Sequence, residues 1–220
     1  MKKLIRQYQE EFSNRKNVIS VLTGIGLFLV AVIIQTLADK YVGHVQTVVV
    51  PDFILDHIPT IDIDGLIIQA VLLLSAITLF VIVIKPKYLA FGLKTLSLFI
   101  IIRAFLISLT HLGANPHELV FSPNAFGYRI YNLLFNTQND FFFSSHTGAP
   151  LLGAFIFWPE KRWRYFYIFA GAFLGACMLL AHLHYSIDVF AAPFMTYGIF
   201  HLAEELFKKD YRFSRISDSN

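Results

Sequence analysis

The chain has 220 residues, of which 56% are hydrophobic, 16% aromatic and only 15% charged, with a net charge of +3. Soluble domains carry about 25% charged and about 45–50% apolar residues, so this composition, with a mean hydropathy of +0.59, excludes an ordinary cytosolic globule and a disordered chain. The small net charge excludes a nucleic-acid binder, and the single cysteine, Cys177, excludes an internal disulfide.

A bilayer core takes about 20 mostly apolar residues per helix. Residues 1–17 form a basic arm in which Leu4, Ile5, Tyr8 and Phe12 lie near one helical face. Such an arm suits either the membrane surface or a disordered tail. Apolar runs over 18–37, 65–84, 88–110, 147–158, 165–183 and 187–207 predict six spans. The first is too long for a secretory signal and lacks its cleavage site, so it reads as an uncleaved anchor. The stretch 42–62 that follows carries Val48-Val49-Val50 and Phe53-Ile54-Leu55. It reads equally as a flap on the outer surface or as a buried packing segment. The fourth run is short and needs Phe141-Phe142-Phe143 to complete a span. The aromatic residues Trp158, Trp163, Tyr165, Phe166 and Tyr167 read as interfacial belt and core. Residues 208–220 form a basic tail. With no repeat or long linker, the fold class is an all-α integral membrane protein, a single six-span bundle over 18–207.

Charge orients the bundle. Fourteen of the 18 Lys and Arg fall in the N-terminal arm, the 85–87 and 161–164 loops and the C-terminal tail. The loops on the other side carry only Lys40 and Arg129. By the positive-inside rule both termini are cytoplasmic.

Ionisable groups inside a span cost about 2.5–3.5 kcal/mol at its centre, so each needs a reason. Arg103 lies in the third span. His146 opens the fourth, in Ser144-Ser145-His146-Thr147-Gly148. His182, His184, Tyr185 and Asp188 lie between the fifth and sixth. All belong at the extracytoplasmic end. If the turn into the sixth span is helical, His184 and Asp188 share a face at i and i+4. A carboxylate beside an imidazole fixes its tautomer and strengthens it as base or nucleophile. His146 can supply a proton to a leaving oxygen. Arg103, with Ser144, Ser145 and the N–H groups of a helix start, can hold an anion; equally, Arg103 can snorkel or pair with Asp140. A metal site is the rival, but on a helix His182 and His184 point about 200° apart, which leaves His182 as an outward or structural neighbour. Two histidines, a carboxylate and an anion clamp at a lipid interface point to phosphoryl transfer on a lipid head group.

These residues resemble the lipid phosphate phosphatase (type 2 phosphatidic acid phosphatase) superfamily, and within it the sphingomyelin synthase branch. The similarity rests on Ser144-Ser145-His146-Thr147 and on Ala181-His182-Leu183-His184-Tyr185-Ser186-Ile187-Asp188-Val189. Pro51-Asp52-Phe53-Ile54-Leu55-Asp56-His57, the Arg103 to Thr110 stretch and Phe121-Ser122-Pro123-Asn124-Ala125-Phe126-Gly127 support it. The resemblance implies a six-span enzyme in which His184 attacks phosphorus, Asp188 orients it and His146 protonates the departing diacylglycerol oxygen. It also implies substrate contacts from Arg103, Asp140, Ser144, Ser145 and Tyr185, with no metal and no cofactor. Its implied partners are a phospholipid donor, a lipid acceptor and the bilayer.

The departures are informative. Lys94 and Arg103 are eight residues apart with no Pro following, unlike the superfamily's Lys-x6-Arg-Pro. Cys177 and Met178 stand where its phosphatases carry Ser-Arg. Fewer cations suit a phosphodiester with one negative charge better than a phosphomonoester. Relative to the synthase branch, Ser145 and Asn139 replace glycines and His111-Leu112-Gly113 replaces Thr-Leu-Pro. Three expectations compete: a phosphotransferase moving a choline, ethanolamine or inositol type of head group; a phosphatase or phospholipase C-like hydrolase using water; and a non-catalytic lipid-binding or transport protein.

Overall fold

A computed structural model of the protein describes residues 8–9, 12–45, 47–135 and 141–215. Among these, eight α-helices follow one another: α1 Arg15–Val42, α2 Asp64–Ile84, α3 Leu89–Thr110, α4 Tyr128–Phe135, α5 Ser145–Ile156, α6 Lys161–Leu180, α7 Ser186–Leu206 and α8 Lys208–Arg215. The boundaries have local causes. Pro86 disfavours helix at Lys85 and opens a short 3-10 turn, Pro86–Tyr88, that separates α2 from α3. His111 closes α3 in the left-handed region at φ 46°. Ser144 caps α5 by accepting the Thr147 N–H at 3.4 Å.

Four helices are long and apolar enough to cross a membrane: Arg15–Val42, Asp64–Ile84, Pro86–Thr110 and Lys161–Leu180. Rows of large apolar side chains on them face outward, including Leu29, Ile33, Leu73, Leu79 and Phe169, a pattern that water does not favour at this extent. The remaining two expected spans differ. The fourth is α5, whose 12 residues reach about 18 Å at 1.5 Å per residue, short of a hydrocarbon core of about 30 Å. Phe141-Phe142-Phe143 does not lengthen it, because Ser144 caps the helix and Phe142 sits at φ 77°. The sixth, α7, has 21 residues but is less apolar, with Asp188, Pro193, His201 and Glu204 within it.

α1 packs along α3, with Gly24 against Ala90 and Leu93. α5 lies between α6 and α7, and small residues let it approach closely. A Cβ on Gly148 would stand 2.9 Å from Thr196 Oγ1, and one on Gly175 would stand 3.0 Å from Thr147 Oγ1. One apolar core joins Phe91, Phe99, Phe143, Leu152, Tyr167 and Phe200; a second joins Ile67, Ile68, Leu174, Met178 and Val189.

The C-terminal stretch is less of a tail than its charge suggests. Lys94 Nζ donates to Asp210 Oδ2 at 2.6 Å, and Arg215 Nη2 donates to the Phe155 carbonyl at 3.0 Å, which fastens α8 to α3 and α5. In the N-terminal arm, Leu4 and Ile5 lie outside the described residues, and Tyr8 donates to the Val83 carbonyl at 2.9 Å.

Candidate active site

Val42, Asp64, Thr110, Ser145, Leu180 and Ser186, each at a helix end, gather at one end of the bundle, where the connecting segments bind one another. Val48 N–H donates to the His111 carbonyl at 3.1 Å and Gly113 N–H to the Val48 carbonyl at 2.9 Å. Ile61 N–H donates to the Leu180 carbonyl at 2.8 Å, and Leu119 N–H to the Ala181 carbonyl at 2.9 Å. The 42–62 stretch is pinned at points and open elsewhere: Leu55 is buried with Phe141 and Tyr185, while Val48, Val49 and Phe53 stay exposed.

Asp52 anchors it. One carboxylate oxygen accepts the Ile54 and Leu55 N–H groups at 2.9 and 3.2 Å, and the other accepts Ser186 N–H, at the start of α7, at 2.6 Å. Burial alone would push this carboxyl up; the hydrogen bonds from Ser186, Leu55 and Ile54 outweigh that and hold it below its ordinary value. Its stabilising contribution is thus present above the unfolded carboxylate value and is lost as pH falls through the lower folded one. Asp52→Ala should cost about 1–3 kcal/mol through orphaned N–H groups. Hydrogen exchange should report it as faster exchange of the 47–63 amides, and acid should loosen the same amides in the unaltered protein.

His184 and Asp188 meet, by a route other than the expected helical face. α7 begins at Ser186, so His184 precedes the helix. Tyr185 is the N-cap residue, and Asp188, at the third helical position, folds back in a capping box. Its Oδ2 accepts Tyr185 N–H at 3.2 Å and lies 3.3 Å from His184 Nδ1. Both side chains are buried, Asp188 completely. Ser144 N–H donates to the Asp188 carbonyl at 3.0 Å, which locks the start of α5 onto the start of α7. The His146 and His184 rings consequently lie side by side, with centroids 6.1 Å apart and planes tilted by 60°. Phe141 meets His184 edge-on at 6.0 Å.

The remaining expected site residues fall as follows. Buried Arg103 donates from Nε to the Phe143 carbonyl at 2.9 Å, and Thr110 donates to the Phe141 carbonyl at 3.2 Å; together they cradle the loop that enters α5. Ser144 is fully buried as a cap, while Ser145, at the helix start, is half-buried. The Tyr185 hydroxyl, expected at the substrate, instead donates to the Gly113 carbonyl at 2.8 Å and accepts Val50 N–H at 3.4 Å. Both of its hydrogen-bonding roles are thereby used within the protein. Asp140 lies outside the described residues. His182 is buried at φ 54°, with Nδ1 3.1 Å from Thr60 Oγ1. Cys177 and Met178 are buried in the apolar core around Leu174 and Val189.

Two residues at the site carry no spacing signal. Tyr131 of α4 places its hydroxyl 3.2 Å from His146 Nε2, and burial pushes its phenol up to about 12, so it stays protonated. Glu118 is half-buried near enough to His184 for a favourable charge interaction, though burial prevails and pushes its carboxyl up.

Residues 138–205 match the family model described as PAP2 superfamily C-terminal. This stretch contains His146, His184 and Asp188. The match suggests phosphatase- or phosphotransferase-type activity on lipids and does not separate the two. Comparisons with curated proteins and with solved structures gave no match.

Proposed function

We propose that this protein is a membrane-embedded lipid phosphotransferase that moves a phospho-head group from a phospholipid to a ceramide- or diacylglycerol-type acceptor. The observation that carries the reading is the buried His184–Asp188 pair facing His146 across 6.1 Å. In-line displacement needs about 3 Å from attacking nitrogen to phosphorus and about 3 Å from leaving oxygen to proton donor, and two rings this close can both reach one phosphoryl group held beside them.

Asp188 accepts a hydrogen bond from His184 Nδ1–H, which fixes the tautomer with the Nε2 lone pair free to attack and stabilises the positive charge the ring gains. The N–P bond forms as the bond from phosphorus to the diacylglycerol oxygen breaks, and His146 protonates that oxygen. The acceptor hydroxyl then attacks the phosphohistidine, gives its proton to His146, and releases His184. One difficult step becomes two easier ones. The phosphate oxygens lie against the Ser145 hydroxyl and the first-turn N–H groups of α5, with the Arg103 charge beneath the loop.

The six-span reading, with α5 and α7 as the short and the less apolar spans and both termini cytoplasmic, puts the site on the extracytoplasmic face. Support comes from the basic 85–87 and 161–164 loops, which lie at the bundle end opposite His184. The test uses purified protein in mixed micelles with phospholipid labelled in head group and phosphate, with and without acceptor. Both labels should appear in a new lipid only when acceptor is present. Water-soluble label regardless of acceptor would make the protein a hydrolase, and no turnover with any lipid would leave a binding or transport protein.

A further inference from the structure

Beside the catalytic pair lies a cavity of about 410 Å³, within the range of small-molecule sites. Its polar lining is Asp56, Thr60, Asn115, His117 and His182, with an apolar wall from the 55–59 turn. It adjoins the site through two short links: His182 is two residues from His184, and His117 precedes Glu118, whose carboxyl interacts with His184.

Proton bookkeeping fixes what this cavity asks of a ligand. The Thr60 hydroxyl has one proton and donates it to the His117 carbonyl at 2.8 Å, an oxygen that can only accept. Toward His182, 3.1 Å away, Thr60 Oγ1 can therefore only accept, so His182 Nδ1 carries the proton. In the neutral ring that leaves Nε2 as a bare acceptor. Nε2 is buried and has no partner among the described residues, on a side chain whose backbone is held in the left-handed region at φ 54°. An unmet buried acceptor is costly in the empty site and is met by a ligand that brings a donor. The Asp56 carboxylate, at the rim, is a second acceptor. Among the described residues the lining holds no Phe, Tyr or Trp, the side chains that recognise quaternary ammonium groups.

We infer that this cavity receives the head group of the donor phospholipid and selects one bearing O–H or N–H donors over a quaternary ammonium. The inference rests on the phosphotransferase reading for the identity of the lipid; the selection follows from the cavity alone. A site built to hydrogen-bond a group rejects the analogue that lacks it far more strongly than it rejects a change of size.

The test separates binding from turnover. Calorimetry on the full-length His184→Ala protein in detergent, titrated with short-chain phosphatidylinositol, phosphatidylethanolamine and phosphatidylcholine, reads head-group preference without reaction. At least one of the first two should bind tenfold or more tighter than the choline lipid, and which one does separates hydroxyl from ammonium donors. Adding His182→Phe, which keeps a ring and removes the acceptor, should erase the preference; His182→Gln, whose amide oxygen accepts, should restore part of it and serves as the folding control. Equal or tighter binding of the choline lipid, or a preference unchanged in His182→Phe, overturns the inference, as does the absence of binding by all three. A preference that persists in a protein with no turnover on any lipid would instead overturn the phosphotransferase reading and leave the cavity's selectivity standing.

Discussion

His184→Asn should abolish transfer, by at least about 10⁴-fold, because in the proposed mechanism His184 is the group that takes the phosphoryl. His146→Asn should behave differently. Its loss on a natural phospholipid should be about 10²–10⁴-fold, the range for a positioned general acid, since the departing diacylglycerol alkoxide needs a proton. A nitrophenyl phosphodiester of the same head group leaves as a stable phenolate and needs none. With that substrate His146→Asn should lose less than about tenfold in the first-turnover burst of nitrophenolate, while His184→Asn should lose as much as before. The measurement pairs nitrophenolate absorbance with trapping of labelled phosphoenzyme after acid-free quenching, because phosphohistidine is acid-labile. Label should accumulate on the His146→Asn protein, whose second step lacks its base, and be absent from His184→Asn. Equal losses on both substrates for both variants would reverse this division of labour.

The site was legible to the extent that chemistry dictates spacing. Polar groups in an apolar chain stand out, so Arg103, His146, His184 and Asp188 were visible from sequence, and His146, His184 and Asp188 do lie together, the last two buried. The reason for their meeting was not visible. The four-position step from His184 to Asp188 suggested a shared helical face, but Ser186 begins the helix, and the contact comes from Asp188 reaching back over its N-terminus. Helix starts of this kind depend on where the preceding turn is pinned, and Asp52, distant in sequence, pins it. The same limit applies to α5: an apolar run beside three phenylalanines looks like a full-length span until the Ser144 cap and the Phe142 turn shorten it. Tyr131 and Glu118 reach the histidines only through tertiary packing, so no local pattern marks them. Tyr185 shows the converse. The family resemblance implied a substrate contact there, whereas its hydroxyl joins the 42–62 segment to Gly113.

Asp188→Asn tests the orienting role with the smallest change in volume. The carboxylate has two duties on one oxygen, accepting Tyr185 N–H at 3.2 Å and facing His184 Nδ1 at 3.3 Å. Its other oxygen, Oδ1, has no partner among the described residues. An asparagine has two placements. With its oxygen inward, the cap and the His184 tautomer survive, but the NH₂ occupies the buried Oδ1 position without an acceptor, at a cost of about 1–3 kcal/mol. With its NH₂ inward, His184 Nδ1 must become the acceptor. The imidazole proton then moves to Nε2, the nitrogen that has to attack. Wrong-tautomer loss in a comparable histidine–carboxylate pair is about 10⁴-fold in kcat, and a loss of that order is expected with lipid affinity little changed. Nitrogen-15 spectra of His184 should show the proton on Nδ1 in the unaltered protein and at least partly on Nε2 in the variant, a signature that simple destabilisation does not produce. Asp188→Ala should lose the cap as well, adding about 1 kcal/mol of destabilisation to the same kinetic defect. Near-normal turnover in Asp188→Asn would mean that His184 needs no fixed tautomer, and the nucleophile would then have to be sought elsewhere among the groups around His146.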